Sequence, residues 1–105
     1  MRIGAIEAGG TKFVCGIGDE TGAIHERTSF PTEQPEVTLK RVAAFFEGKS
    51  VDAIGIGSFG PIGLNPSQAD YGHVTTTPKP GWSGFDFLGT LKQWFDVPYG
   101  WDTDV

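Results

Sequence analysis

The sequence of 105 residues has one cysteine, no long hydrophobic run and few basic residues. Because Cys15 has no second cysteine to pair with, an internal disulfide is excluded, which is typical of proteins in a reducing cytoplasm. No apolar stretch approaches the roughly 18 residues of a membrane-spanning segment. Eight Lys and Arg against 13 Asp and Glu leave a net charge of −5, which argues against a partner bound through its phosphate backbone. We therefore expect a cytoplasmic protein with no nucleic-acid or membrane partner.

Zinc ligands are also missing, since Cys15, His25 and His73 lack the short spacing of a zinc site. Turn residues, by contrast, are abundant, with 16 Gly and 7 Pro beside a hydrophobic content of 38%. That hydrophobic content is too high for a disordered chain, and the turn residues are too many for a helical bundle. The composition therefore predicts one compact, turn-rich domain.

Hydrophobic patterning predicts three strands near the start of the chain. Apolar residues recur over 3–7 and 13–17, where Phe13, Cys15 and Ile17 share one face at period two, and 23–30 is interpreted as a third strand. Glycine-containing turns separate the segments. Strands joined in this way form an antiparallel meander.

A helix and then a buried strand are predicted to follow the meander. Pro35 suits the first turn of a helix and Gly48 suits its end. The residues at helical spacing that would face a core are Leu39, Val42, Ala43 and Phe46. The run 51–56, which is apolar apart from Asp52, is typical of a buried central strand.

The second half of the chain predicts a long polar loop, a second helix and a last strand. The loop covers 64–82, with one short strand expected at 73–77. Ser83 and Asp86 have the spacing of a capping box, so that Ser83 would cap a helix. Phe87, Leu91 and Trp94 then lie on the core face of that helix, and the last strand is expected at 97–101.

The order β-β-β-α-β-loop-α-β predicts an α/β domain in which a mixed sheet with a three-strand antiparallel meander carries flanking helices. This is the ribonuclease-H-like arrangement. Because the sequence stops directly after a predicted strand that leads into Asp102, Thr103 and Asp104, we expect residues 1–105 to be the N-terminal piece of a longer protein.

The run EAGGTK, from Glu7 to Lys12, is the most informative motif. Two glycines between strands let backbone N–H groups turn toward an anion, while Thr11 adds a hydroxyl and Lys12 a positive charge. Glu7 at the strand end would hold a hydrated Mg²⁺. The run differs from a Walker loop, in which the lysine opens a helix rather than a strand. These features indicate a phosphate site, with an ordinary Gly-Gly hairpin turn as the alternative.

A second glycine-rich run, from Gly55 to Gly60, matches the dinucleotide pattern G-x-G-x-x-G. Pro61 and Gly63 exclude the helix that must follow in a dinucleotide-binding fold, so we reject that function. What remains is a glycine loop at the carboxyl end of a strand, where ligands bind in open α/β sheets, or a simple tight turn.

Two carboxylates and two tryptophans near the predicted strand ends are further candidates. Asp102 and Asp104 share one face of a strand end, where a carboxylate can take a proton from a substrate hydroxyl during phosphoryl transfer. A solvated acidic turn is the alternative for this pair. Trp82 and Trp101 lie beside loops, where they would either form the floor of a sugar pocket or pack in the core.

Four motifs taken together resemble the ROK family of sugar kinases, specifically its bacterial fructokinase branch. They have the family's order and spacing over the whole chain: IEAGGTK at 6–12, GSFGP at 57–61, TPKPGW at 77–82 and TD at 103–104. The resemblance implies an actin-like kinase fold in two lobes with ATP and sugar between them, of which residues 1–105 would be the N-terminal lobe. It also implies Mg²⁺ and the ATP-dependent phosphorylation of a hexose, fructose in this branch.

The resemblance implies a role for each motif. Glu7 would orient Mg²⁺, and Asp104 would be the catalytic base that removes a proton from the attacking sugar hydroxyl. The residues that would bind phosphate are Gly9, Gly10, Thr11 and Lys12, and those near the sugar are Gly60, Pro61, Thr77, Trp82 and Thr103. A second phosphate loop, an adenosine pocket and a Cys/His zinc cluster would follow Val105, and a homodimer is compatible with the family.

Two residues depart from the pattern of many family members. Glu7 stands in place of an Asp, so that Mg²⁺ would be reached through water, and Thr103 stands in place of an Asn. Both replacements resemble the fructokinase branch and argue against a glucokinase.

Three other functions stay open at this point. The ROK family also contains sugar-binding regulators, but those carry a helix-turn-helix segment ahead of the kinase-like module, whereas Ile3 already lies in the first predicted strand. A two-metal nuclease on the same scaffold would use Glu7 and Asp104 as ligands, although the net charge of −5 argues against it. A domain used only for folding or assembly is the third alternative.

Overall fold

The computed structural model describes residues 1–103 as one mixed sheet with two helices. Its elements are β1 (Arg2–Ala8), β2 (Lys12–Asp19), β3 (Ile24–Pro31), α1 (Pro35–Phe46), β4 (Ala53–Ser58), α2 (Phe87–Trp94) and β5 (Tyr99–Thr103). The sheet order is β3-β2-β1-β4-β5, in which β1, β2 and β3 are antiparallel and β4 and β5 run parallel to their neighbours. The predicted meander, mixed sheet and flanking helices are therefore confirmed. Within residues 1–103, no helix has the length and apolar character needed to cross a membrane.

One face of the sheet forms the core, and both helices pack against it. The buried residues of this face include Gly4, Ile6 and Ala8 of β1, Phe13, Cys15 and Ile17 of β2, and Ile54 and Ile56 of β4. A Cβ atom on Gly4 would come within 2.8 Å of the Phe46 ring of α1. The ring centroids of Phe13 and Phe87, from β2 and α2, lie 5.9 Å apart. The opposite face, with Ala5 and Glu7 exposed, is not covered by any element of residues 1–103.

The first helix begins and ends where its sequence predicts. Pro35 lies in the first turn, where its missing N–H removes no helical hydrogen bond. Leu39, Val42 and Phe46 are buried on the predicted stripe. After the helix, Gly48 adopts a φ of 75°, a left-handed conformation that favours glycine and turns the chain toward β4.

The second helix corrects two predictions. Asp86, not Ser83, is its N-cap, because the Asp86 carboxylate accepts a hydrogen bond from the Gly89 N–H at 2.9 Å. The Ser83 hydroxyl instead donates to the Thr75 carbonyl at 3.0 Å. Trp94, predicted to be core, is the last helical residue and is 44% exposed. The face that the helix buries consists of Phe87, Leu88 and Leu91.

The long loop between β4 and α2 is ordered by short backbone contacts instead of the strand predicted at 73–77. Isolated bridges join Ile62 to Val74, Gly63 to Tyr71 and His73 to Asp86. Because consecutive bridges pair with different segments, no continuous ladder forms. The loop therefore folds onto itself and lies against the core.

Candidate active site

The turn between β1 and β2 is a tight loop with one open side. The Gly9 N–H donates to the Lys12 carbonyl at 2.9 Å, which closes the turn. A Cβ on Gly9 would lie 2.8 Å from that carbonyl, so the close approach requires glycine here. A Cβ on Gly10 would meet nothing within 4 Å, and Gly10, Thr11 and Lys12 are all exposed. The turn therefore presents backbone, a hydroxyl and a cation to solvent.

This turn forms one wall of a cavity of about 410 Å³. The lining residues are Glu7, Gly9, Gly10, Thr11, Lys12, Val14 and Arg27. All of the residues predicted to hold phosphate and Mg²⁺ thus come together around one space. Backbone N–H groups, a hydroxyl and positive charge are what a phosphate chain needs, while a carboxylate suits a hydrated Mg²⁺.

Thr32, which directly follows β3, is hydrogen-bonded to the backbone of the turn. No sequence pattern predicted this role. Its hydroxyl donates to the Gly9 carbonyl at 2.7 Å, and its N–H donates to the Thr11 carbonyl at 2.9 Å. Only the pairing of β2 with β3, which sets Lys12 opposite Pro31, could have pointed to this neighbour. The shape of the turn therefore depends on the third strand as well as on its own glycines.

A larger cavity of about 600 Å³ lies over the open face of the sheet. It shares Glu7, Val14 and Arg27 with the first cavity and reaches Gly57 and Thr103 at the ends of β4 and β5. Thr103, predicted to lie near the sugar, thus lines the same cavity as Glu7. Arg27 lines both spaces, although an arginine in a polar strand gave no signal in the sequence.

The other residues predicted to lie near the sugar are not brought to these two cavities within the described part of the chain. Gly60 and Pro61 are exposed in the loop after β4. Thr77 is half-buried, and its hydroxyl oxygen accepts the Lys79 N–H at 3.2 Å. The loop that carries Gly60 is attached to β1 by a hydrogen bond from the Phe59 N–H to the Ala8 carbonyl at 2.7 Å.

Trp82 lies in the core and does not form the floor of an open pocket. Its side chain is 0% exposed, and its indole N–H donates to the Glu33 carbonyl at 2.8 Å. Phe59 and Phe85 meet the indole edge-to-face with centroids 5.4 Å away. The expectation that the Trp82 ring contacts sugar does not fit this burial, and the packing interpretation applies to its side chain.

The predicted catalytic base, Asp104, lies outside the described residues. The neighbouring Asp102 is exposed on β5 opposite Gly57 of β4, and its carboxylate accepts the Thr103 N–H at 2.8 Å. Within residues 1–103, no group of three or more His, Cys, Asp or Glu side chains is arranged to hold a metal ion. Glu7 would therefore bring one carboxylate to Mg²⁺, which commonly keeps several waters and takes its other ligands from substrate phosphates.

Cys15 takes no part in the candidate site. Its thiol is buried in the core, and this burial raises its pKa to about 12. A protonated thiol away from solvent is a poor nucleophile and a poor metal ligand.

Comparisons with known proteins agree with this architecture. The model of the ROK family matches residues 3–105. The chain is 59% identical over 105 residues to a fructokinase of Pediococcus pentosaceus and covers 36% of that protein. It is also 46% identical to a fructokinase of Streptococcus mutans, over 97% of this chain and 36% of the relative. The chain thus spans about a third of the length of the relatives that it matches.

Solved structures show the same fold. A ROK family glucokinase from Streptomyces griseus, in complex with glucose and AMPPNP, superimposes with a TM-score of 0.80 over 99% of this chain and 33% of that one, at 24% identity. A ROK hexokinase from Thermus thermophilus superimposes with a TM-score of 0.74 at 20% identity, over 99% of this chain and 35% of that one. The predicted fold class is therefore confirmed.

Proposed function

This chain belongs to the ROK family, and from that premise we propose that the protein containing it is an ATP-dependent hexose kinase whose acceptor is fructose. Residues 1–105 are its N-terminal lobe. The fructokinases that resemble the chain at 46% and 59% identity support the choice of sugar. The nucleotide is supported by the AMPPNP complex of the Streptomyces glucokinase with the same fold.

The observation that carries the proposal is the cavity of about 410 Å³ at the turn between β1 and β2. Gly9 and Gly10 bring backbone close to the phosphates of ATP, Thr11 donates its hydroxyl, and Lys12 neutralises charge. Glu7 would hold Mg²⁺ through water, and the ion would supply neutralisation of charge on the phosphate oxygens. Catalysis in such a site is mostly positioning and electrostatic stabilisation.

The acceptor side of the reaction is assigned to the end of β5. Asp104 accepts the proton of the sugar hydroxyl whose oxygen bonds to the γ-phosphorus, while the bond from that phosphorus to the β,γ-bridging oxygen breaks and ADP leaves. The assignment rests on the family motif and on Thr103, the preceding residue, which lines the cavity that also contains Glu7.

The proposed sugar-binding residues are Gly60, Pro61 and Thr77 in the loops and Thr103 at the end of β5. Trp82 supports this region from below, because its buried indole packs on Phe59, the residue before Gly60. Phe59 in turn is hydrogen-bonded to the end of β1, where Ala8 precedes the phosphate turn. The loop that carries Gly60 is therefore connected to the phosphate turn through the hydrogen bond between Phe59 and Ala8.

The test is Asp104→Asn in the complete protein, with Asp102→Asn as the matched control two residues away. We expect Asp104→Asn to lower kcat by about 10²- to 10⁴-fold, the usual contribution of a general base, with little change in fructose binding by calorimetry. Asp102→Asn should keep kcat within a few-fold. A mild effect of Asp104→Asn would show that the base lies elsewhere.

A second measurement tests the sugar and the division into lobes. The complete protein should have its highest kcat/KM for fructose among fructose, glucose and mannose, and a preference for another sugar would overturn the choice of acceptor. The 105-residue chain alone should phosphorylate none of them, because positioning requires both walls of the cleft. Turnover by this chain that Asp104→Asn abolishes would contradict the assignment of two lobes.

A further inference from the structure

Arg27 is exposed on β3, the edge strand, at the open face of the sheet. It pairs with Gly16 on β2, which pairs with Ala5 on β1, which in turn pairs with Gly55 on β4. Gly55 is followed in this row by Gly100 of β5. Beyond Arg27 itself, this row therefore contains no side chain larger than the methyl group of Ala5. No side chain of these row partners blocks an arginine that extends over the sheet.

The neighbouring row contains Glu7 and Val14, which line the cavity at the turn between β1 and β2. Glu7 pairs with Val14, and Val14 pairs with Ser29, which lies two residues after Arg27 on β3. Arg27 and Val14 are therefore diagonal neighbours on the adjacent strands β3 and β2, about 7 to 8 Å apart, which is within the reach of an arginine, and Glu7 lies one strand further on. This placement explains why Arg27 lines both the cavity at the turn and the cavity over the sheet.

The charge of Arg27 is not matched by an anion in the described part of the chain. Arg41 pairs with Glu33 at 2.9 Å, and the Nε of Arg2 donates to the Ser50 carbonyl at 2.7 Å. Within residues 1–103, Arg27 has no such partner, although it lines a cavity with the carboxylate of Glu7. The cavity at the turn therefore has two cations, Lys12 and Arg27, against one carboxylate.

We infer that Arg27 is a second phosphate-binding cation, which contacts the phosphate chain of the nucleotide from the side of the cavity opposite the glycine turn. This inference rests on the proposed function and adds a residue to its donor side. A guanidinium presents N–H groups in a planar fork that matches two phosphate oxygens, whereas the Lys12 ammonium acts as a point charge. The two cations therefore have different roles, one in orientation and one in charge neutralisation.

The experiment is nucleotide binding by calorimetry to the complete protein and to three variants. Arg27→Gln should weaken ATP and ADP binding by about 10- to 100-fold, the usual loss for a charge-assisted hydrogen bond, with a smaller loss for AMP. Arg27→Lys keeps the charge without the fork and should recover part of the loss. Arg41→Gln, the control, removes an arginine that is paired with Glu33 outside both cavities and should bind ATP like the wild type.

The outcomes separate this inference from the proposed function. Binding of ATP and ADP by Arg27→Gln at wild-type affinity would overturn the role of Arg27. If the wild type binds ATP but phosphorylates no hexose, the proposed function fails while the binding test of Arg27 still stands. If Arg27→Gln does not fold, Arg27→Lys decides: a loss of ATP affinity at unchanged melting temperature supports the inference, and unchanged affinity refutes it.

Melting temperature and KM for ATP together distinguish phosphate binding by Arg27 from a purely structural role of this residue. If Arg27 served only to pair with Glu7, Arg27→Gln would lower the melting temperature without a selective effect on ATP. We expect instead that KM for ATP rises while KM for the sugar and the melting temperature stay unchanged.

Discussion

Trp82 donates its indole N–H to the backbone carbonyl of Glu33, 49 residues earlier in the chain, at 2.8 Å. This hydrogen bond joins the long loop after β4 to the start of α1. The same indole packs against Phe13 of β2 and Phe87 of α2, with centroids 5.7 and 5.9 Å away. The loop that carries the proposed sugar contacts is therefore attached to the sheet, to α2 and to the segment just before α1 through one buried side chain.

Replacement of Trp82 should destabilise the protein more than replacement of any exposed tryptophan. Trp82→Ala should cost about 3 to 5 kcal/mol of unfolding free energy, the usual cost of truncating a buried aromatic side chain. Trp82→Phe keeps an aromatic ring but leaves the Glu33 carbonyl without its donor, at about 1 to 3 kcal/mol. Urea unfolding of the complete protein followed by circular dichroism measures both.

Trp94→Phe is the matched control, since Trp94 is 44% exposed and should tolerate the change within about 0.5 kcal/mol. Equal losses for Trp82→Phe and Trp94→Phe would contradict the assigned packing. A folded Trp82→Phe protein whose KM for fructose rises more than tenfold would restore a direct sugar contact for the ring.

Gly9 and Gly10 should respond differently to the same substitution. Gly9→Ala places a Cβ 2.8 Å from the Lys12 carbonyl, which forces the turn to shift and should lower both stability and ATP affinity. Gly10→Ala meets nothing within 4 Å of its new Cβ, so the melting temperature should not change. Any loss of ATP affinity in Gly10→Ala then reports the close approach of phosphate to that backbone.

The two alanine variants control for each other, because they differ by one position in a single turn. The melting temperature from calorimetry and the Kd for ATP are the readouts. Equal melting temperatures for Gly9→Ala and Gly10→Ala would show that the turn does not have the geometry described.

Local periodicity was enough to predict the sheet, because Phe13, Cys15 and Ile17 alternate within one strand and need no knowledge of distant residues. Contacts between segments distant in sequence were not predictable in this way. Trp82 resembles a loop tryptophan until the fold supplies Glu33 as an acceptor 49 residues away. Arg27 resembles a surface residue until strand pairing places it two residues from the partner of Val14.

The N-cap of α2 is Asp86, although the sequence spacing indicated Ser83. Asp86→Ala should cost about 1 kcal/mol of stability, because the Gly89 N–H loses its acceptor at the helix N-terminus. Ser83→Ala should cost less, since the Ser83 hydroxyl donates to the Thr75 carbonyl in an exposed loop and caps nothing. Urea unfolding of both variants gives the comparison. A larger loss for Ser83→Ala would reinstate the capping box that the spacing first indicated.

Cys15 should be unreactive in the native protein and should make stability fall at alkaline pH. Burial raises the pKa of its thiol from 9.0 to about 12, so the native thiol stays protonated at pH 8. Ellman's reagent should therefore label Cys15 only after unfolding in urea, and rapid labelling of native protein would contradict its burial.

The sign of the pH effect follows from the raised pKa of Cys15. Below pH 9, the thiol is protonated in both the folded and the unfolded state, so it contributes no pH dependence. Between pH 9 and about 12, the unfolded state releases the proton while the folded state keeps it, and stability falls as pH rises. Tyr99 adds to this fall, because burial, and secondarily the negative charge of Asp96, raise its pKa from 10.0 to about 12.

Cys15→Ala should reduce the slope of unfolding free energy against pH above 9 relative to the wild type, whatever its cost at pH 7. An unchanged slope would show that the thiol ionises equally well in both states.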